Sequence, residues 1–191
     1  MTIELLFQDG WQRLKSLPDD PHNSISLGKS TSSAQCFALI FPVSRHQSMP
    51  FGERQSVIDG IHHSLGERQA LIEVDSGITK SEERYIYSII KSQLDSSGVQ
   101  YFLRANIESS LGIVEINAFF DEVGITGQRD STIFSVARNQ GVNESEWMRD
   151  PYDDTFRRSY MMNISEEQRF DNLFPEHPLS QARKLIHTLC N

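Results

Sequence analysis

The chain has 191 residues, of which 38% are hydrophobic and 23% are charged, and its formal net charge is −8. This length is enough for one domain with a substantial core. An acidic chain without clustered lysine and arginine is poorly suited to nucleic acid, because neutralising phosphates needs basic side chains close together. No apolar run approaches the ~20 residues of a membrane span, and the first residues lack the basic stretch of a signal peptide. We therefore expect a cytoplasmic protein that binds neither nucleic acid nor a membrane.

Few residues suggest metal binding or catalysis. The two cysteines, Cys36 and Cys190, are too few for a disulfide framework. We expect reduced thiols, although one bridge between them stays open. His62 and His63 are adjacent and would point about 100° apart on a helix. The chain contains no H-E-x-x-H, G-x-S-x-G or kinase signature. It therefore predicts no metal site, no cofactor and no catalytic residue.

The N-terminal segment is set apart from the main domain by its pattern, and whether it packs on that domain stays open. Apolar residues at helical spacing within residues 3–17 indicate a short amphipathic helix. The stretch that follows is rich in proline, serine and aspartate, and it indicates a long loop or a loose hairpin. We therefore divide the chain into an N-terminal helix and loop, residues 1–30, and a single α+β domain, residues 31–191.

An antiparallel meander is the clearest pattern in the chain. A buried strand, AQCFALIFPVS, ends near Pro42, and a helix follows with Val57 and Leu65 on its apolar face. Two strand pairs come next: QALIEVDSG with RYIYSIIKSQ, and VQYFLRANIE with IVEINAFFDE. Apolar and polar residues alternate in the second pair, which places one face against a core. Four consecutive strands joined by short turns predict a meander.

The C-terminal part is predicted to be mainly helical. A helix that begins near residues 130–131 should end at Gly141, and an elaborated loop follows it. Ser165 and Gln168 have the spacing of a capping box, and a last amphipathic helix begins near Pro178. The predicted fold class is α+β: a single domain in which an antiparallel meander sheet packs between helices, an α/β/α sandwich.

Most candidate ligand-binding residues lie on the polar face of the second strand pair. If SSLG forms the turn, Asn106 faces Glu115, and Arg104 faces Asn117 and lies diagonal to Glu115. A solvated or helix-covered face would give such cross-strand pairs ~0.2–1 kcal/mol each and no function. The alternative is a polar recognition surface made of these four residues.

Four aromatic residues are candidates for an interaction surface. Phe102 and Phe119 face each other on the polar face, and something must cover them: a helix of this protein, a second copy or a partner. Trp147 and Tyr152, in the loop EWMRDPYDDTF, are residue types that are frequent in interfaces. The alternative for this loop is a lid that folds back over the core.

The stretch DEVGITGQRDST is a candidate anion site. Backbone N–H groups at the start of a helix, with Arg129 beside them, are able to hold an anion. The glycine spacing falls short of a phosphate-binding loop, and Asp130 would oppose an anion. The alternative is a strand-to-helix turn whose glycines supply positive φ angles.

The pair Glu176 and His177, between Pro175 and Pro178, predicts the start of a helix rather than an active site. Pro178 suits the first helical position, where its missing N–H costs nothing. His177 then takes the N-cap position, where histidine is not a preferred residue. We expect His177→Ala to cost stability rather than activity.

A resemblance extends over roughly residues 36–190. The stretches SGITKSEERYIYSIIK, GVQYFLRANIE, EINAFFDEVGITGQRDS and NISEEQRFDNLFPEHPLSQARKL resemble a family of uncharacterised bacterial proteins. The order of elements is also similar to the PsbP-like fold, an antiparallel sheet between helices. Members of that fold generally bind other macromolecules, so the resemblance implies binding rather than turnover.

Two functions follow as hypotheses. The first is a non-enzymatic binding or accessory module that contacts a protein partner or forms a homodimer. The second is a small enzyme or ligand-binding protein for an anionic small molecule, with a pocket built from Arg104, Glu115 and Arg129.

Overall fold

The computed structural model describes residues 4–95, 98–158 and 160–190. Its class is α+β, as predicted, with one seven-stranded antiparallel sheet and a two-stranded one. The large sheet contains β1 (Gln12–Arg13), β2 (Ile25–Ser30), β3 (Ala34–Val43), β4 (Gln69–Ile78), β5 (Arg84–Gln93), β6 (Val99–Ser109) and β7 (Gly112–Glu122); the small one contains β8 (Met148–Arg149) and β9 (Met162–Asn163). The helices are α1 (Glu4–Gln8), α2 (Arg54–Ser64), α3 (Gln128–Asn139), α4 (Glu144–Trp147) and α5 (Pro178–Cys190), with 3-10 turns at Ile164–Glu166 and Gln168–Leu173.

The strands of the large sheet follow the order β1-β2-β3-β7-β6-β5-β4. The predicted meander from β4 to β7 is confirmed, and β3 lies against the last strand of that meander, so β7 is central. Phe102 pairs with Phe119, and Arg104 pairs with Asn117, in the register that the SSLG turn predicts. A slip of one residue would have moved each of these side chains to the other face of the sheet.

The main core lies between one face of the sheet and α5. Alternating residues of β6, among them Leu103 and Ala105, are fully buried on this face. The apolar side of α5 packs against this face of the sheet, and its apolar residues recur at helical spacing. They are Leu179, Ala182, Leu185, Ile186 and Leu189.

A smaller core lies on the opposite face. Val57 and Ile58 of α2 pack there against Val74 of β4 and Ile86 of β5. The sheet therefore has a helix on each side, but α2 covers mainly the β4 side of its face.

The N-terminal segment packs on the main core. The predicted helix ends at Gln8, and after Gly10, which has a φ of +86°, the chain forms β1. β2 pairs with β3 over its whole length, where the sequence predicted a long loop or a loose hairpin. Leu6 and Leu27 are fully buried in the same core as the sheet.

The predicted capping box was two residues out of place. Asn163 accepts a hydrogen bond from the backbone N–H of Ser165, and Glu166 accepts one from the backbone N–H of Asn163. Ser165 instead donates its hydroxyl to Asp130 of α3. The turn therefore begins earlier, because the short strand β9 ends at Asn163.

Leu6→Ala tests whether the N-terminal segment is part of the domain. Leu6 is fully buried, so its truncation should lower the free energy of unfolding by about 2–5 kcal/mol in urea denaturation. Leu17→Ala is the control: Leu17 is 66% exposed and should change stability by no more than about 0.5 kcal/mol. Equal, small effects of both substitutions would show an independent arm.

Candidate functional site

Four of the predicted ligand-binding residues meet at one carboxylate. Arg104 donates Nη2 to Oε2 of Glu115 at 2.8 Å, and Asn106 donates Nδ2 to the same oxygen at 3.1 Å. Asn117 donates Nδ2 to Oε1 at 3.1 Å. Glu115 is 6% exposed and is stabilised by three donors of the chain itself.

This cluster holds residues 44–53, the connection between β3 and α2, against the sheet. Asn106 is fully buried and accepts the backbone N–H of Met49 at 2.9 Å. Arg104 donates to the carbonyl oxygen of Gln47 at 2.8 Å. These polar side chains therefore stabilise the connection between β3 and α2. In the described part of the chain, Arg104 Nε and Asn117 Oδ1 are the two buried side-chain polar atoms without a hydrogen bond.

A row of phenylalanines crosses the sheet beside this cluster. Phe102 and Phe119 have ring centroids 4.8 Å apart. Phe37 of β3 is the register partner of Phe119, so it lies on the same face. We call the surface of Phe37, Phe119 and Phe102 the phenylalanine face. Phe119 is 37% exposed, although it belongs to the central strand.

Arg129 lies on the other side of the sheet and does not join Arg104 and Glu115. Its side chain is fully buried beside α5. Nε donates to the carbonyl oxygen of Ser165 at 2.7 Å, Nη1 to the hydroxyl of Ser180 at 3.0 Å, and Nη2 to Asp171 at 3.0 Å. All three guanidinium nitrogens are occupied by the chain itself. Before α3, the glycines at 124 and 127 both have a φ of +72°, as the turn interpretation predicts.

The structure separates Trp147 from Tyr152. The hydroxyl of Tyr152 accepts the N–H of Val74 at 2.6 Å and lies 3.1 Å from the carbonyl oxygen of the same residue. Tyr152 thus closes over the smaller core, which matches the lid interpretation. Trp147 packs edge-on against Phe134 of α3, with ring centroids 5.0 Å apart.

Glu176 and His177 point to different partners. The Glu176 carboxylate accepts the backbone N–H of Ser32 at 3.2 Å, and its carbonyl oxygen accepts the hydroxyl of Thr31. Hydrogen bonds from Ser32 lower the pKa of this carboxyl. The ring Nδ1 of His177 accepts the N–H of Leu179 at 3.2 Å and so caps α5.

The imidazole of His177 is held neutral. His177 is 7% exposed, and burial lowers the pKa of its imidazole from 6.5 to about 3. The positive charges of Arg129 and Arg183 contribute to this lowering. The ring packs edge-on against Tyr101, with centroids 5.8 Å apart. A proton on Nε2 is the tautomer that leaves Nδ1 free to accept the helix N–H.

The residue that the sequence predictions missed is Glu122, the last residue of β7. Its Oε1 accepts the N–H of Gly127 at 2.7 Å and lies 4.0 Å from Nε2 of His177. Burial raises the pKa of this carboxyl. Both residues line one cavity of about 260 Å³. The sequence places Glu122 at the end of a predicted strand, before a turn with two glycines, which could have suggested a site. Nothing in the sequence linked it to His177, 55 positions later.

No family model matches the chain, and no curated protein matches it. Among the described residues, no helix is long and apolar enough to cross a membrane. The same residues contain no group of three or more histidine, cysteine, aspartate or glutamate side chains placed to hold a metal ion.

Arg129→Met tests the structural role of the buried guanidinium. It would remove the donor to the carbonyl oxygens of Ser165 and Glu167 and one of the two arginines that pair with Asp171, and it should lower the free energy of unfolding by about 3–5 kcal/mol. Arg149→Met is the control, because Arg149 is 60% exposed and pairs with Glu167 at the surface. It should cost about 1 kcal/mol or less in the same urea titration. Similar costs for both would contradict the assignment.

The pH dependence of stability tests the neutral imidazole. Because the pKa of His177 is lower in the folded than in the unfolded chain, the unfolded chain binds the extra proton as the pH falls below about 6.5. This proton uptake should lower the free energy of unfolding of the wild type by about 1–2 kcal/mol between about pH 7 and pH 5. His177→Asn keeps a preferred N-cap residue, and its stability should not show this loss between about pH 7 and pH 5. His46→Asn, at an exposed position, should keep the wild-type profile.

Proposed function

We propose that the chain is a non-enzymatic binding module whose phenylalanine face contacts another polypeptide. The observation that carries the proposal is Phe119, which is 37% exposed on the fourth strand of seven. An antiparallel sheet often leaves one face to solvent, but that face is then polar, so a large aromatic side chain exposed at its centre is unusual. An exposed aromatic ring there marks a surface that something else covers.

The surroundings of Phe119 support this proposal. The apolar surface continues at the β2 end of the sheet with the aliphatic side chain of Leu14. This side chain lies over Gly28, where an added Cβ would be 3.1 Å from it. Leu14 is itself 42% exposed. Gln100 and Asp121 are hydrogen-bonded to each other at 2.7 Å on the same face. An aromatic centre with polar groups beside it is the usual composition of a protein interface.

The arrangement of Arg129 and Glu115 favours the binding module over the anionic-ligand alternative. Arg129 uses its donors on Ser165, Ser180 and Asp171, and Glu115 is occupied by Arg104 and the two asparagines. A ligand at either side chain would have to replace hydrogen bonds that the chain itself makes. We keep the cytoplasm as the proposed location, in line with two buried, free thiols at Cys36 and Cys190. The PsbP-like resemblance and the bacterial family stay predictions.

Photo-crosslinking tests the phenylalanine face in the cell that makes the protein. A benzophenone side chain at Gln35, an exposed position on the same face, should give one crosslinked polypeptide of defined mass. Phe119→Asp should abolish that product, since it places a charge in the apolar centre, and should leave the melting temperature within a few degrees. The probe at Leu111, which is 99% exposed in the β6–β7 turn, should give no product.

The mass of the product identifies the partner. A doubled chain mass, together with a dimer in light scattering that Phe119→Asp dissociates, would assign the face to a second copy. A different mass would assign it to another protein. Equal yields from the Gln35 and Leu111 probes, or a yield that Phe119→Asp does not change, would overturn the proposal.

A further inference from the structure

A cavity of about 260 Å³ lies where the end of β7 meets the beginnings of α3 and α5. Its wall includes Glu122, Asp130 and His177, together with Tyr101 and Tyr160. Tyr101 belongs to the main core, so the cavity opens on the α5 side of the sheet, opposite the phenylalanine face. It therefore takes no part in the protein contact proposed above.

His177 presents an unused hydrogen-bond donor to this cavity. Its Nδ1 is occupied by the N–H of Leu179, so the neutral ring carries its proton on Nε2. The side chain is 8% exposed. Oε1 of Glu122 is 4.0 Å from Nε2, which is too far for a hydrogen bond. Within residues 4–95, 98–158 and 160–190, this N–H, which faces the cavity, has no hydrogen-bond acceptor.

The two carboxylates of the cavity wall have no lysine or arginine partner among the described residues. Glu122 accepts the backbone N–H groups of Gly127 and Val99, which are neutral donors. Asp130 accepts the side-chain amide of Asn163 at 3.1 Å and the hydroxyl of Ser165, which are both neutral donors. The charge of Asp130 contributes to the raised pKa of Glu122, so the two carboxyls are close enough to repel each other.

The cations near this cavity are engaged elsewhere. Lys91 lies over the ring of Tyr160 at 4.5 Å but donates to Glu166 at 2.7 Å. Arg129 pairs with Asp171. No lysine or arginine is among the described residues that line the cavity. The wall is thus acidic and aromatic, which disfavours an anion and favours a cation.

We propose that this cavity binds a small organic ammonium ion that carries a neighbouring hydroxyl or carbonyl oxygen. The ammonium group donates to the carboxylate of Glu122 and faces the rings of Tyr101 and Tyr160. The neighbouring oxygen accepts the Nε2–H of His177. One ligand then satisfies the unused donor and neutralises the unpaired acid, which a solvent molecule cannot do because it carries no charge.

Three small probes test the proposal on the intact chain by amide NMR titration. Ethanolamine has both groups, n-propylamine lacks the oxygen, and ethylene glycol lacks the charge. Ethanolamine should shift the backbone amides of Gly98 and Gly127, at the cavity wall, in a saturable way. It should bind about fivefold more tightly than n-propylamine, and ethylene glycol should bind at least about tenfold more weakly than ethanolamine.

A matched pair of variants assigns the charge. Glu122→Gln keeps an acceptor for the N–H of Gly127 but removes the carboxylate, and it should weaken ethanolamine binding about tenfold or more. Asp121→Asn removes the same charge from the neighbouring residue, which lies on the opposite face, and should leave binding unchanged. If Glu122→Gln does not fold, the comparison of ethanolamine with ethylene glycol in the wild type still measures the need for charge.

Several results would overturn the proposal. Absence of a saturable shift with either amine would show that the cavity holds solvent only. Equal binding of ethylene glycol and ethanolamine would show that charge is not recognised. An equal loss in Asp121→Asn and Glu122→Gln would indicate a general effect of the net charge. Retained ethanolamine binding in Phe119→Asp is expected, so this cavity and the phenylalanine face succeed or fail independently.

Discussion

The fold depends on a set of ion pairs buried between α5 and the sheet. Arg183, which is 7% exposed, donates to Glu73 of β4 at 2.6 Å and to Asp171 at 3.1 Å. Lys91 of β5 donates to Glu166 at 2.7 Å. A buried charge is tolerated only when it is paired and hydrogen-bonded, so these contacts permit few alternative positions for α5. They therefore act as a constraint on geometry more than as a source of stability.

Both surfaces that we propose as binding sites follow from where this constraint places the charges and the helices. On the α5 side, the buried cations pair with acids of the connecting segment, and within the described residues Glu122 and Asp130 have no lysine or arginine partner. On the other side, α2 and residues 44–53 cover only part of the sheet, and Phe119 stays exposed. The two faces of one sheet thus differ in chemistry: one offers an acidic cavity and the other an aromatic surface.

The parts of the fold that could be predicted are those with local repetition. Period-two alternation and a short turn placed Arg104 near Glu115 and Phe102 opposite Phe119, because register in a hairpin is set by its turn. β2 escaped prediction because only Ile25 and Leu27 mark its buried side, and glycine, serine and lysine fill the remainder. Its strand conformation comes from pairing with β3, which is a tertiary contact.

The sequence by itself determined the antiparallel meander, the amphipathic face of α5 and the capping position of His177, since each is a pattern within a few residues. Only the tertiary structure decided what the polar residues do. Arg129, a candidate anion ligand by its place before a helix, is enclosed by acceptors that lie 36 to 51 positions later. Glu122 and His177 became neighbours because β7 ends where α5 begins. Contacts between distant segments depend on packing, and no local pattern encodes which polar groups that packing leaves unpaired.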